Sequence, residues 1–190
     1  MTAQSNLIVK GLLLGGAFGF PLIASAAIIS GTDTGFEVLE TVSVAASPKE
    51  SYARLVNIAA WWNKAHTFSG DSANLTLDAR PGGCFCERLK DGGGVQHLTV
   101  TYVAPNQALR FSGALGPLQS LGVAGSMTIA LTGTAGGGTD IALRYRVGGY
   151  ATDGIKKWAG PVDEVLGEQI ARLKRLIDSG SAESSSPSQK

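Results

Sequence analysis

Apolar residues recur along this chain with two different periods. From Phe36 to Val147 they alternate with polar residues in short runs, the pattern of half-buried strands. The runs are Phe36–Val44, Asn74–Ala79, Cys84–Leu89, Val95–Val103, Ala108–Leu115, Ser126–Thr134 and Asp140–Val147. Turn signals separate them: Arg80-Pro81-Gly82-Gly83, Asp91-Gly92-Gly93-Gly94, Ala104-Pro105-Asn106 and Gly136-Gly137-Gly138. Links this short join antiparallel neighbours. The period changes within the last apolar segment, Gly154 to Asp178. From Pro161 onward, Val162, Val165, Leu166, Ile170, Leu173, Leu176 and Ile177 form a helical stripe with charges filling the positions between. Pro161 suits a first turn, Asp163 and Glu164 sit near the positive end, and Arg172, Lys174 and Arg175 near the negative end. Gly180 is the stop. The resulting rod, Pro161–Asp178, is about 27 Å long and must bury its stripe against a sheet.

Two smaller helical pieces follow the first strand. Ser47-Pro48-Lys49-Glu50 reads as N-cap, first-turn proline and capping-box glutamate, with Tyr52, Leu55 and Val56 as the inner stripe. Ile58–Ala65 is a second piece and carries Trp61-Trp62. The order is therefore strand, two short helices, about six strands and one long helix. The expected class is α+β: a curved antiparallel sheet of about seven strands wrapped around a long C-terminal helix.

This order resembles the helix-grip fold of the START, pollen-allergen and polyketide-cyclase superfamily (SRPBCC). The residues that carry the resemblance are the Ser47-Pro48-Lys49-Glu50 helix start, Trp61-Trp62, the Arg80-Pro81-Gly82-Gly83 turn and Pro105-Asn106-Gln107-Ala108-Leu109-Arg110. It covers Phe36 to Asp178. The run Trp62 to Phe68 is similar to the branch related to heat-shock-chaperone activators. The resemblance implies a cavity between helix and sheet with an apolar ligand in it; the superfamily has no shared catalytic set to carry over.

Composition and charge narrow the classes. At 190 residues with 44% hydrophobic residues, one domain with a sizeable core is expected. A net charge of +1 with no basic cluster argues against nucleic acid. The first 26 residues stand apart: Lys10, the uncharged run Gly11 to Ile23, then Ala24-Ser25-Ala26. They read as a secretory signal peptide, giving a periplasmic or secreted protein. The alternative is an uncleaved membrane anchor over residues 11–32, the only membrane contact foreseen. Residues 27–35 are expected as a linker, 36–178 as the ligand-binding domain and 179–190 as a solvated Ser-rich tail.

Cys84 and Cys86 form C-x-C, which on a strand places both side chains on one face. A bridge fits poorly across one intervening strand residue, so two small buried or half-buried thiols are expected. With two His and two Cys, no zinc site is expected, and no P-loop or dinucleotide fingerprint calls for a cofactor. Asn74-Leu75-Thr76 is a glycosylation sequon by pattern. Phe68-Ser69-Gly70-Asp71-Ser72 is similar to the nucleophile block of GDS-type esterases, but no His follows position 97 to complete a triad.

Glu87 and His97 are the candidate acid/base pair. If Asp91-Gly92-Gly93 is a three-residue loop, Glu87 falls opposite His97 on a face shared with Phe85, Leu89 and Val95. The alternative is an exposed cross-strand pair, since Leu98, Val100 and Tyr102 make an apolar set on the other face. Trp61, Trp62, Phe85, Tyr102 and Trp158 are candidates for the cavity wall, with Val162 and Leu166 from the helix. Tyr145 is a further aromatic, flanked by Arg144 and Arg146 on the outer face, and His66 stands at the cavity mouth. The one long link, Gly116 to Gly125, is expected as a flap whose Leu115, Leu118, Leu121 and Val123 cover the cavity. Together these point to an exported carrier or sensor for an apolar small molecule. The alternative is a cyclase- or dehydratase-type enzyme using Glu87 and His97, and a partner-binding module is the third class.

Overall fold

A computed structural model describes residues 25–184. Eight strands form one antiparallel sheet: β1 Ser25–Thr32, β2 Gly35–Val44, β3 Leu75–Leu77, β4 Cys84–Arg88, β5 Gly94–Ala104, β6 Ala108–Ser112, β7 Gly122–Gly133 and β8 Thr139–Tyr150. Their order is β1-β2-β8-β7-β6-β5-β4-β3. Helix α1, Pro48–Val56, leaves β2 and leads into two 3₁₀ turns, Ile58–Ala60 and Lys64–His66, in place of one continuous second helix. Helix α2, Ala159–Ser179, closes the chain against the sheet. This is the helix-grip fold.

The additional strand comes from the expected linker. Residues 27–32 continue β1, which pairs with β2 from Ser25↔Thr41 to Thr32↔Gly35. Residues 1–24 of the expected signal segment, and residues 185–190 of the tail, lie outside the described residues. Among the described residues no helix is long and apolar enough to cross a membrane. The start of the tail packs back on α2: Ala182 is buried, its carbonyl accepts from Arg175 Nε, and Glu183 pairs with Arg172.

Alternation in β2 sends Phe36, Val38, Val42 and Val44 inward, and Glu40 with them. Leu166, Ile170, Leu173 and Leu176 of α2 meet this face. Each such buried side chain contributes about 1.5–3 kcal/mol by leaving water. Ser47 accepts from the Glu50 amide and Glu50 Oε2 accepts from the Ser47 amide, the reciprocal cap foreseen. Gly180, at φ 79°, ends α2 in the left-handed conformation. Glu37 on the outer face of β2 holds both Arg144 and Arg146 of β8.

Two bulges in β5 set which of its residues face the core. Cys86 pairs with Gln96 and Phe85 with Leu98, so His97 is the extra residue between them. His97 and Leu98 are consecutive and both buried. Farther along, Val100 pairs with Phe111 and Tyr102 with Arg110, leaving Thr101 extra. This second bulge turns Tyr102 outward, where it is 46% exposed with the Arg110 guanidinium over its ring. Tyr102 therefore has no place in a cavity wall.

Cys84 and Cys86 are joined as a disulfide, not left as the free thiols expected. Their Cα atoms are 5.4 Å apart, where two residues of a regular strand would be about 6.6 Å apart. The strand is contracted opposite the extra residue of β5.

Candidate functional site

A cavity of about 380 Å³ opens at the end of the molecule where α2 begins. One wall comes from the start of α2 and the turn before it: Trp158, Pro161, Val162, Val165 and Leu166. A second is Trp62 with the segment Ala65–Phe68, and a third is Leu115–Leu118. Among the described residues His97 is the one lining residue contributed by the sheet, and the first bulge puts it there.

Trp62 and Trp61 are fixed from behind. Trp61 Nε1 donates to the Leu55 carbonyl at 3.0 Å and Trp62 Nε1 to the His66 carbonyl at 3.0 Å. Arg172 of α2 donates to the Trp61 carbonyl at 2.8 Å. Asn63 is held by Gln169 and Glu168 of α2. The Trp62–Phe68 segment is thereby tied to the helix on one side and, through Phe68 and Ser69, to the sheet on the other.

The sheet side of that tie is Glu87. It is 2% exposed and accepts from the amides of Phe68 and Ser69 and from His97 Nε2 at 3.0 Å. Burial pushes its carboxyl up, but the contacts from Ser69, Phe68 and His97 outweigh that and hold it below the ordinary value. Burial is also the largest influence on His97; it lowers the imidazole pKa, against the partial opposition of the Glu87 carboxylate. The pair at neutral pH is a carboxylate and a neutral imidazole. With Nε2–H donated to Glu87, Nδ1 carries the free lone pair. Such an imidazole can accept a proton or a hydrogen bond from a molecule in the cavity. Phe85 and Phe68 pack against its ring, at centroid distances of 4.8 and 5.9 Å.

The pairing of Glu87 with His97 follows from the bulge and not from direct opposition across the strands. Lys90–Gly92 is a 3₁₀ turn, Leu89 N–H bonds the Gly93 carbonyl, and Glu87 stands opposite Val95. Glu87 lies behind His97 and does not itself line the cavity. Of the residues expected in the wall, Trp62, Leu118, Trp158, Val162 and Leu166 line it. Trp61 and Phe85 are buried one layer deeper, as supports of Trp62 and His97. Leu121 is half-buried outside the cavity, because β7 begins at Gly122 and ends the flap early.

The flap is therefore Gly113 to Leu121, built on a 3₁₀ turn Gly116–Ser120. Leu118 is 1% exposed, and Gln119 donates to the Gln96 carbonyl of β5 at 2.9 Å. Tyr145, fully buried, accepts from Leu115 N–H at 3.0 Å and donates to the Gly113 carbonyl at 3.1 Å. Its phenol is pushed up to about 12 by burial. Gly125 belongs to β7 and not to the flap, and is closely packed: a Cβ there would lie 2.6 Å from the Tyr145 ring and 2.4 Å from the Gly113 carbonyl. His66 is at the mouth as expected, its Nε2 2.9 Å from Glu168 Oε2.

Residues missed from the sequence include Phe68, Pro161 and Val165 on the wall and Ser69 behind it. Phe68 and Ser69 lay in the block weighed as an esterase nucleophile; their backbone amides clamp Glu87 instead. No group of three or more His, Cys, Asp or Glu among the described residues is arranged to hold a metal ion.

No protein-family model matches the chain, and no curated protein matches it in sequence. Solved structures do. EF2215 from Enterococcus faecalis, a conserved protein of unknown function, superposes with a TM-score of 0.55 at 15% identity, over 84% of this chain and 80% of its own. DynU16, a protein of the dynemicin biosynthetic locus, gives 0.53 at 21% identity over 77% of this chain; the match spans 48% of DynU16. CalU16 from Micromonospora echinospora gives 0.51 at 12% identity, over 81% and 83% of the two chains. These likenesses are of fold.

Proposed function

We propose that this protein binds a small, largely apolar molecule with one protic group, which His97 anchors. The observation that carries this reading is an apolar cavity whose sheet-side wall is a single buried, neutral imidazole. At about 380 Å³ the cavity falls at the small end of small-molecule sites (roughly 300–1,000 Å³). Aromatic, lipid-like and polyketide-like skeletons all suit such walls, and a hydroxyl or enol at the His97 end would meet Nδ1. A place in an oxidising compartment goes with this reading: the disulfide suits export, as does the N-terminal segment.

Native mass spectrometry of the purified protein tests it directly. A co-purified small molecule, lost from His97→Phe or bound more weakly by it, is the expected result. A cavity that takes up neither a co-purified molecule nor added aromatic alcohols would overturn the proposal.

A second reading is favoured by one observation, the 3.0 Å bond between His97 and Glu87 in a buried setting. A carboxylate that orients an imidazole and stabilises its protonated form is what a general base needs. In this reading the pair moves protons next to a carbonyl of the bound molecule, as in cyclase or dehydratase chemistry. Exchange of such protons for deuterium in D₂O, lost in His97→Gln, separates the enzyme from the carrier.

A further inference from the structure

The two cysteines lie on the opposite face of the strand from the cavity group, directly behind it. Phe85 stands between them and Glu87 follows Cys86; these two inward residues are the ones from the strand that touch His97. The ring of Phe85 lies 4.8 Å from the imidazole and Glu87 Oε2 lies 3.0 Å from Nε2. The disulfide holds Cα84 and Cα86 at 5.4 Å, about 1 Å closer than an open strand would. It does so where Cys86↔Gln96 and Phe85↔Leu98 bracket the extra residue His97. Both cysteines are half-buried on the outer face, where a reductant can reach them without entering the cavity.

We propose that the Cys84–Cys86 disulfide is a redox-sensitive positioning clamp that fixes the Glu87–His97 pair. A dithiol reductant donates two electrons and two protons; the S–S bond breaks, Cys84 and Cys86 become thiols, and the reductant becomes a disulfide. Two thiols no longer hold the strand contracted, so β4 relaxes toward ordinary strand spacing. Phe85 and Glu87 then move apart along β4, and the bulge that packs His97 between them loosens. Neither cysteine touches the cavity, so any effect on His97 passes through the strand. This inference deepens the reading of His97 as the cavity's anchor, but its test follows His97 itself and needs no ligand.

The chain has two His, so both imidazoles can be followed separately by side-chain ¹⁵N spectra across a pH titration, with His66 as internal control. Oxidised protein, protein reduced with dithiothreitol, and the Cys84→Ser/Cys86→Ser variant are compared. In the oxidised protein His97 is expected as one neutral tautomer, protonated on Nε2. In the other two samples the expected result is a mixture of tautomers. The His97 midpoint is also expected to rise by about half a pH unit or more as water relieves its burial. His66 stays unchanged. A purely structural bridge would lower the melting temperature and leave the His97 titration where it was, and that result overturns the proposal. So does unfolding of both reduced and variant protein by circular dichroism, or detection of two free thiols in protein purified under air. Failure to bind any ligand would sink the functional reading while leaving this test intact.

Discussion

Glu87 collects three donors in a place where water does not reach. Glu87→Ala would strand the Phe68 and Ser69 amides and the His97 N–H together. The expected loss is about 2–5 kcal/mol in urea unfolding, since each unmet buried donor costs on the order of 1–3 kcal/mol and the effects are not additive. Glu87→Gln keeps an acceptor and should cost less, while removing the charge that favours the imidazolium. His97 should then protonate at a lower pH than in the parent, measurable by the same ¹⁵N titration. From the sequence the pair was expected as direct cross-strand neighbours set by a three-residue loop, yet Glu87 stands opposite Val95. What joins them is a bulge, and nothing in the run Val95-Gln96-His97-Leu98 announces that His97 and Leu98 both turn inward. The disulfide, which regular strand spacing argued against, lies opposite the same bulge. Tyr102 is the converse case: alternation counted from Leu98 put it inside, and the bulge at Thr101 put it out.

At the scale of elements, periodicity was a reliable guide wherever a run was long enough to show its period. The stripe of α2, the capping box of α1 and the seven alternating runs are all present, with ends shifted by a few residues. The element that alternation did not reveal is β1, because Ala26–Thr32 carries no polar alternation and lies against apolar sequence. The flap was legible as apolar, but its division of labour was not. Both Leu115 and Leu118 line the cavity, but Leu118 is buried in the core as well, whereas Leu115 is half-buried and is held through its backbone by Tyr145. Leu118→Ala should therefore cost about 2–5 kcal/mol of stability. Leu115→Ser should leave thermal stability within about 1 kcal/mol of the parent. It should weaken binding of an apolar ligand roughly tenfold, the worth of part of one leucine side chain. Thermal melts beside a ligand titration of both variants check this: if Leu115→Ser binds as well as the parent, the ligand enters and sits elsewhere.

For the molecule as a whole, the grip of α2 on the sheet contains an acid where a hydrophobic side chain belongs. Glu40 occupies the middle of the inward row Phe36, Val38, Glu40, Val42, Val44 and is 2% exposed. Gly167 of α2 lies over it; a Cβ at that position would be 3.3 Å from Glu40 Oε2, so the glycine leaves room for the carboxyl. Burial, and then the neighbouring Asp163 of α2, push Glu40 up to about 8. At neutral pH it keeps its proton, buried beside Asp163. The sign of the consequence follows from linkage. The unfolded chain releases this proton near the ordinary value of 4.5 and the folded chain near 8, so the folded state holds the extra proton between them. Stability from this site is therefore greatest below 4.5 and falls as pH rises toward 8. Two other buried groups act differently across that range. His97, lowered below its ordinary value of 6.5, adds stability as pH rises up to that value, and Glu87, also lowered, adds a constant amount above 4.5. Glu40→Gln isolates the first effect, because it retains the size and polarity of the protonated acid without a proton to lose. The variant and the parent should unfold alike at about pH 4, below the unfolded value, and the variant should become progressively the more stable toward pH 8 in urea titrations. Parallel curves for the two proteins would mean that Glu40 ionises beneath the helix as readily as in the unfolded chain.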